Sequence, residues 1–145
     1  MSEYSESSIV IAASVSEVEA VLFDLANYPS WSTAIKSAEV LETNSDSRVT
    51  KIRTSIDGGV LRDNVTLEYD WSGAPGRLSF SLEDADLLTE MSGAYTIESL
   101  DDDETKVTYQ LKVGISMPVP AMMRQKAEKS SIELALSQLK SKIEN

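Results

Sequence analysis

The chain has 145 residues, 41% of them apolar and 26% charged, and its 24 acidic against 13 basic side chains give a formal net charge of -11. These proportions fit one ordinary folded domain over residues 1–145 and exclude a disordered polymer. Cysteine and histidine are both absent, which removes disulfides, thiolate catalysis, Ser-His and Cys-His nucleophile pairs and the commonest transition-metal ligand.

The acidic surplus opposes binding to nucleic acid and to anionic lipid, both of which rely on clustered lysine and arginine. No apolar run approaches the ~18 to 20 residues of a membrane span. The opening Met1–Glu6 carries acid where a secretory signal carries base. Stable membrane insertion is therefore not expected, and a cytoplasmic location is.

In chain order, Ser5 to Ala13 contains the β-branched run Ile9, Val10 and Ile11 and reads as a strand. Ser14 and Glu17 then have the spacing of a capping box, and Val18, Val21, Leu22 and Leu25 form one helical stripe that stops before Pro29. A further turn or two of helix is expected around Pro29 to Ala34. Extended segments follow at Ala38 to Glu42, Val49 to Ile56 and Leu61 to Trp71, with Asp57, Gly58 and Gly59 as a tight turn between the last two. In the third segment Leu61, Val65, Leu67, Tyr69 and Trp71 share one parity, opposite Arg62, Asn64, Thr66, Glu68 and Asp70, so one face is wet.

The same alternation recurs in Leu78, Phe80 and Leu82, in Met91, Tyr95 and Ile97, and in Val107 through Ile115. Turn chemistry at Ser72–Gly76, Glu83–Asp86 and Asp101–Glu104 separates these runs into antiparallel hairpins. The acidic run Asp101–Glu104 lacks the ligand spacing of a calcium loop and reads as a solvated turn. After Met117, Pro118, Val119 and Pro120 the period changes, and Met123, Ala127, Ile132, Ala135, Leu136, Leu139 and Ile143 give a long closing helix.

The stretch Ile11–Val18, continuing through Asp24, Tyr28, Pro29 and Trp31, resembles the strand, helix, Asp, Tyr-Pro and Trp signature of the START-like superfamily. This is the helix-grip fold of polyketide cyclases, lipid-transfer domains, ubiquinone-binding relatives and the birch-pollen allergen. Gly93 followed by Tyr95, and Met117–Pro120 leading into the last helix, fit the same pattern. The resemblance implies an α+β domain in which a curved antiparallel sheet of about six or seven strands wraps a long C-terminal helix, with one or two short helices after the first strand. It also implies a cavity between sheet and helix for a lipid, polyketide, quinone or hormone-like molecule. It implies no cofactor and no fixed catalytic set, since the family holds both binders and enzymes.

On that fold the candidate ligand contacts are Tyr69, Trp71, Phe80, Met91, Tyr95 and Tyr109 on the inner sheet face, with Met122, Met123 and Ala127 at the start of the closing helix. Tyr28 and Trp31 read first as plugs seating the short helix, with ligand contact as the alternative. Met117, Met122 and Met123 read as gap-fillers or as a gate that moves to admit ligand. The stripe of the last helix thins at Glu128–Ser131, either because a small residue faces the sheet or because a polar ligand group is met there. Asp63 and Arg53 read as edge-of-sheet positions, with an inward carboxylate–guanidinium pair as the alternative. The expected function is binding or carriage of a hydrophobic or amphipathic small molecule. A cyclase or dehydratase using the same cavity, and an interaction module with a filled core, are the alternatives.

Overall fold

The computed structural model describes residues 4–57, 62–74, 76–115 and 119–144. Strand β1 (Ser5–Ile11) leads through helix α1 (Val15–Leu22) and a 3-10 helix (Leu25–Ser30) into β2 (Ile35–Thr43), β3 (Val49–Asp57), β4 (Arg62–Asp70), β5 (Arg77–Ala85), β6 (Leu88–Asp101) and β7 (Glu104–Ile115), and the chain closes with helix α2 (Ala121–Glu144). The seven strands form one antiparallel sheet in the order β1-β7-β6-β5-β4-β3-β2. It does not close, because β1 and β2 are its two free edges. This is the helix-grip arrangement.

Helix α1 starts where the sequence places it. Ser14 Oγ accepts the Glu17 N–H at 3.3 Å and donates to Glu17 Oε1 at 3.2 Å, so the glutamate turns back to the cap hydroxyl. The helix ends at Leu22, earlier than its apolar stripe predicts, and the chain re-enters a 3-10 turn over Leu25–Ser30 instead of helix over Pro29 to Ala34. The Tyr28 hydroxyl donates to the Leu22 carbonyl, which α1 leaves free at its end. That bond folds the 3-10 segment back under α1.

Leu78, Val107, Leu111, Ile132 and Leu139 are fully or almost fully buried between the sheet and α2, as are Val18 and Leu22 of α1. Helix α2 packs on β1 and β7. Glu128, fully buried on α2, accepts the Ser5 hydroxyl at 2.7 Å and the Val113 N–H at 2.6 Å, and pairs with Arg124 one turn earlier at 3.2 Å. Farther along, Lys129 Nζ donates to the Glu6 carbonyl and Lys140 Nζ to the Val10 carbonyl, while Glu144 accepts the Ala12 N–H.

Two hairpins extend beyond their predicted ends. Strand β5 runs on through Glu83 and Asp84 to Ala85, and β6 spans 14 residues, because residues there pair backbone to backbone while their polar side chains stay in water. Register shifts leave Glu83 of β5 unpaired opposite Thr66 and Leu67, and an extra residue in β6 between Leu88 and Glu90, which breaks the alternation of β5 and β6 at those points. Gly76, at φ +101°, takes the left-handed conformation that the β4–β5 turn requires. The expected Asp57–Gly59 turn falls largely outside the described residues.

Candidate ligand cavity

A cavity of about 90 Å³ lies between the concave sheet face, the 3-10 helix and α2. Leu25, Tyr28 and Trp31 form its wall at the 3-10 helix, and Ser131 and Ala135 its wall at α2. From the sheet come Ile52, Thr54 and Ile56 of β3, Leu67 and Tyr69 of β4, Phe80 of β5, Met91 and Tyr95 of β6, and Tyr109 and Leu111 of β7. Strand alternation accounts for this set, since each pair within one strand is separated by an even number of residues.

Five sequence candidates, Tyr69, Phe80, Met91, Tyr95 and Tyr109, come together in this wall. Tyr95 stacks on Tyr109 with ring centroids 4.2 Å apart, Tyr69 tilts against Phe80 at 5.5 Å, and Tyr28 meets Trp31 edge-on at 5.0 Å. Such offset and edge contacts hold each ring in place and present a continuous aromatic lining.

The other four candidates sit elsewhere. Trp71 lies one residue past β4, where it meets Phe23 edge-on, donates its indole N–H to the Val49 carbonyl at 2.6 Å and carries the Arg48 guanidinium 4.9 Å above its ring. Met122 and Met123, on the first turn of α2, are 80% and 62% exposed. Ala127 is buried on α2 one turn before Ser131, just beyond the part of the helix that faces the cavity. Met117, the third residue of the expected gate, lies outside the described residues.

Tyr28 and Trp31, expected first as plugs, both line the cavity as well as seating the 3-10 helix. Thr54 is a wall residue that was not expected, although its shared parity with Ile52 and Ile56 carried the signal. In the thin part of the α2 stripe, Ser131 faces the cavity, whereas Glu128 turns to β1 and β7.

The cavity lining contains no Asp, Glu, Lys or Arg among the described residues. Burial above all, then the proximity of the other phenols, pushes Tyr28 and Tyr95 well above the ordinary phenol value, and burial likewise raises Tyr69 and Tyr109. Burial thus favours the neutral phenol form, which can both donate and accept a hydrogen bond, in all four.

Neither Asp63 nor Glu90 reaches the cavity. Glu90 is exposed and lies 3.4 Å from Lys112. Asp63 is buried, but its carboxylate accepts the backbone N–H groups of Asn64, Asp86, Leu87 and Leu88 at 2.7 to 3.2 Å. Arg53 is exposed on the opposite face of β3, so the two residues do not make the inward pair considered above.

A family described as polyketide cyclase / dehydrase and lipid transport matches the chain over residues 4–144. Among solved structures, a START superfamily protein from Mycobacterium smegmatis superposes with a TM-score of 0.92 at 22% identity, covering 97% of each chain. The Zhui aromatase/cyclase from Streptomyces superposes with a TM-score of 0.76 at 18% identity, covering 97% of this chain and 93% of the other. A protein from Thermus thermophilus gives a TM-score of 0.82 at 17% identity over 97% and 96% of the two chains. At these identities the likeness is one of fold. No protein of curated function matches the sequence. No helix among the described residues is long and apolar enough to cross a membrane. Because the family match runs over nearly the whole length, the chain belongs to the polyketide cyclase / dehydrase and lipid transport family of START-like proteins.

Proposed function

We propose that this protein binds a small, neutral, hydrophobic molecule in the cavity between sheet and α2, with Tyr69, Phe80, Met91, Tyr95 and Tyr109 among its contacts. The observation that carries this reading is an aromatic wall, free of charge among its described residues, around enclosed space in a domain of this family. Its volume is below the ~300 to 1,000 Å³ usual for drug-sized ligands. A ligand of one ring fits with little movement, and a larger one requires the aromatic side chains to swing aside.

Affinity comes chiefly from burial. A single aromatic ring that removes on the order of 150 Å² from water gains about 4 kcal/mol at ~25 cal/mol per Å², less the entropic cost of association. The neutral phenols add orientation. General-base catalysis by a phenolate finds little support, because burial holds the cavity's phenols in their protonated form.

Native mass spectrometry of the purified protein, followed by denaturation and extraction, tests the reading. A stoichiometric copurifying hydrophobic molecule, or a thermal shift with members of a hydrophobic library, is the expected result. A clean unliganded mass with no shift across that library would overturn it and favour an interaction module.

A further inference from the structure

Three buried side-chain polar atoms lack a hydrogen-bond partner among the described residues: Glu19 Oε2, Trp31 Nε1 and Thr54 Oγ1. Two of the three, Trp31 and Thr54, are residues of the same cavity wall, and since neither orphan atom has appreciable accessible surface, a ligand oxygen reaches them when the neighbouring rings shift. Trp31 is 9% exposed and Thr54 6%. A buried donor or hydroxyl left unpaired costs about 1–3 kcal/mol, so native proteins rarely leave one without a use.

The fold brings the two residues to one side of the cavity. Trp31 follows directly on the 3-10 helix, and the chain then turns, with Ile35 N–H donating to the Ser32 carbonyl, into β2. Ile35 pairs with Ile56, and Thr54 lies two residues from Ile56 on the same inward face of β3. The edge-on contact with Tyr28, itself tied to the Leu22 carbonyl, fixes the indole. The other tryptophan provides a contrast, since Trp71 Nε1 is bonded to the Val49 carbonyl.

Resting on the proposal that the cavity binds a small molecule, we infer that Trp31 Nε1–H and Thr54 Oγ1 form its polar subsite and receive the oxygen of a neutral carbonyl-bearing ligand. An indole N–H can only donate, and a threonine hydroxyl can donate alongside it, so the pair matches the two lone pairs of one carbonyl oxygen. A carboxylate or an ammonium group is excluded on the same chemistry, because the described lining offers no opposite charge to offset its desolvation.

The test compares acetophenone with α-methylstyrene, the hydrocarbon of similar size in which a methylene replaces the carbonyl oxygen, by NMR titration of the full chain and of Thr54→Val. The inference expects the Trp31 indole proton to move downfield with acetophenone only, while that of Trp71 stays put. It expects Thr54→Val to weaken acetophenone by roughly fivefold, the size of one neutral hydrogen bond, and to leave α-methylstyrene unchanged. It also expects Thr54→Val to raise the melting temperature of the unliganded protein, since the variant removes a buried hydroxyl that has no partner. Equal effects on both probes, a still Trp31 signal, or a lowered melting temperature would overturn the subsite while leaving the cavity reading intact. Failure of both probes to bind the parent protein would overturn the cavity reading for single-ring ligands, and the subsite with it.

Discussion

Asp63 fastens the turn between β5 and β6 through three of the four backbone N–H groups that its carboxylate accepts. Burial alone would raise its pKa, but those four bonds outweigh it and hold the group below the ordinary value of 3.8. A folded-state pKa below the unfolded one contributes stability above the unfolded value, and that contribution is lost as pH falls toward the folded pKa. Asp63→Asn is therefore expected to cost about 1–3 kcal/mol at neutral pH. Thermal melts from pH 7 down to pH 2 should show the gap between parent and variant narrowing below about pH 4. A gap that stays constant across that range would mean the carboxylate charge contributes nothing. The inward parity of Asp63 was legible in the sequence, yet its partners were not: backbone N–H groups of a turn carry no residue signature, and Arg53 offered a false one.

Strand β6 lies between β7 and β5, and a Cβ at its Gly93 would lie 2.4 Å from the Gln110 carbonyl oxygen and 3.0 Å from Phe80 Cζ. Gly93→Ala must push one strand off another and turn a cavity-wall ring, at a cost of roughly 1–3 kcal/mol, measurable as a fall in melting temperature. Phe80→Leu in the same chain would relieve only the ring contact, so it should restore part of the loss at most. Full rescue would place the clash at Phe80 alone. The inward faces of β4 and β7 were legible because their alternation is unbroken, whereas the ends of β5 and β6 were not, because Glu83 and Asp84 continue a strand in water. Helix α2 held a similar ambiguity. Nothing in the order Ala127, Glu128, Lys129 distinguishes a solvated glutamate from one fully buried against Val113 and Ser5, although Arg124 one turn earlier was a hint.

At the scale of the whole molecule, the order of elements and the existence of an inner aromatic face were readable, while the amount of space behind that face was not. Cavity volume depends on how far each ring leans into it, which is settled by packing among strands distant in sequence. Also invisible in the sequence was what happens along the rims of the open sheet. On the β1 side, the carbonyls of Glu6 and Val10, which face away from β7, are already taken by Lys129 and Lys140, and the Ala12 N–H by Glu144. On the β2 side, three register shifts bend the strand under the exposed Val40 and Leu41. A passing strand from another chain would find one rim already partly taken by side chains of α2 and the other too irregular to zip onto, so α2 hinders pairing with further copies as well as roofing the cavity. Lys129→Ala with Lys140→Ala should free that rim, and light scattering is expected to show an average mass that rises with concentration more steeply than the parent's. An unchanged mass would mean that the sheet is guarded by its shape alone.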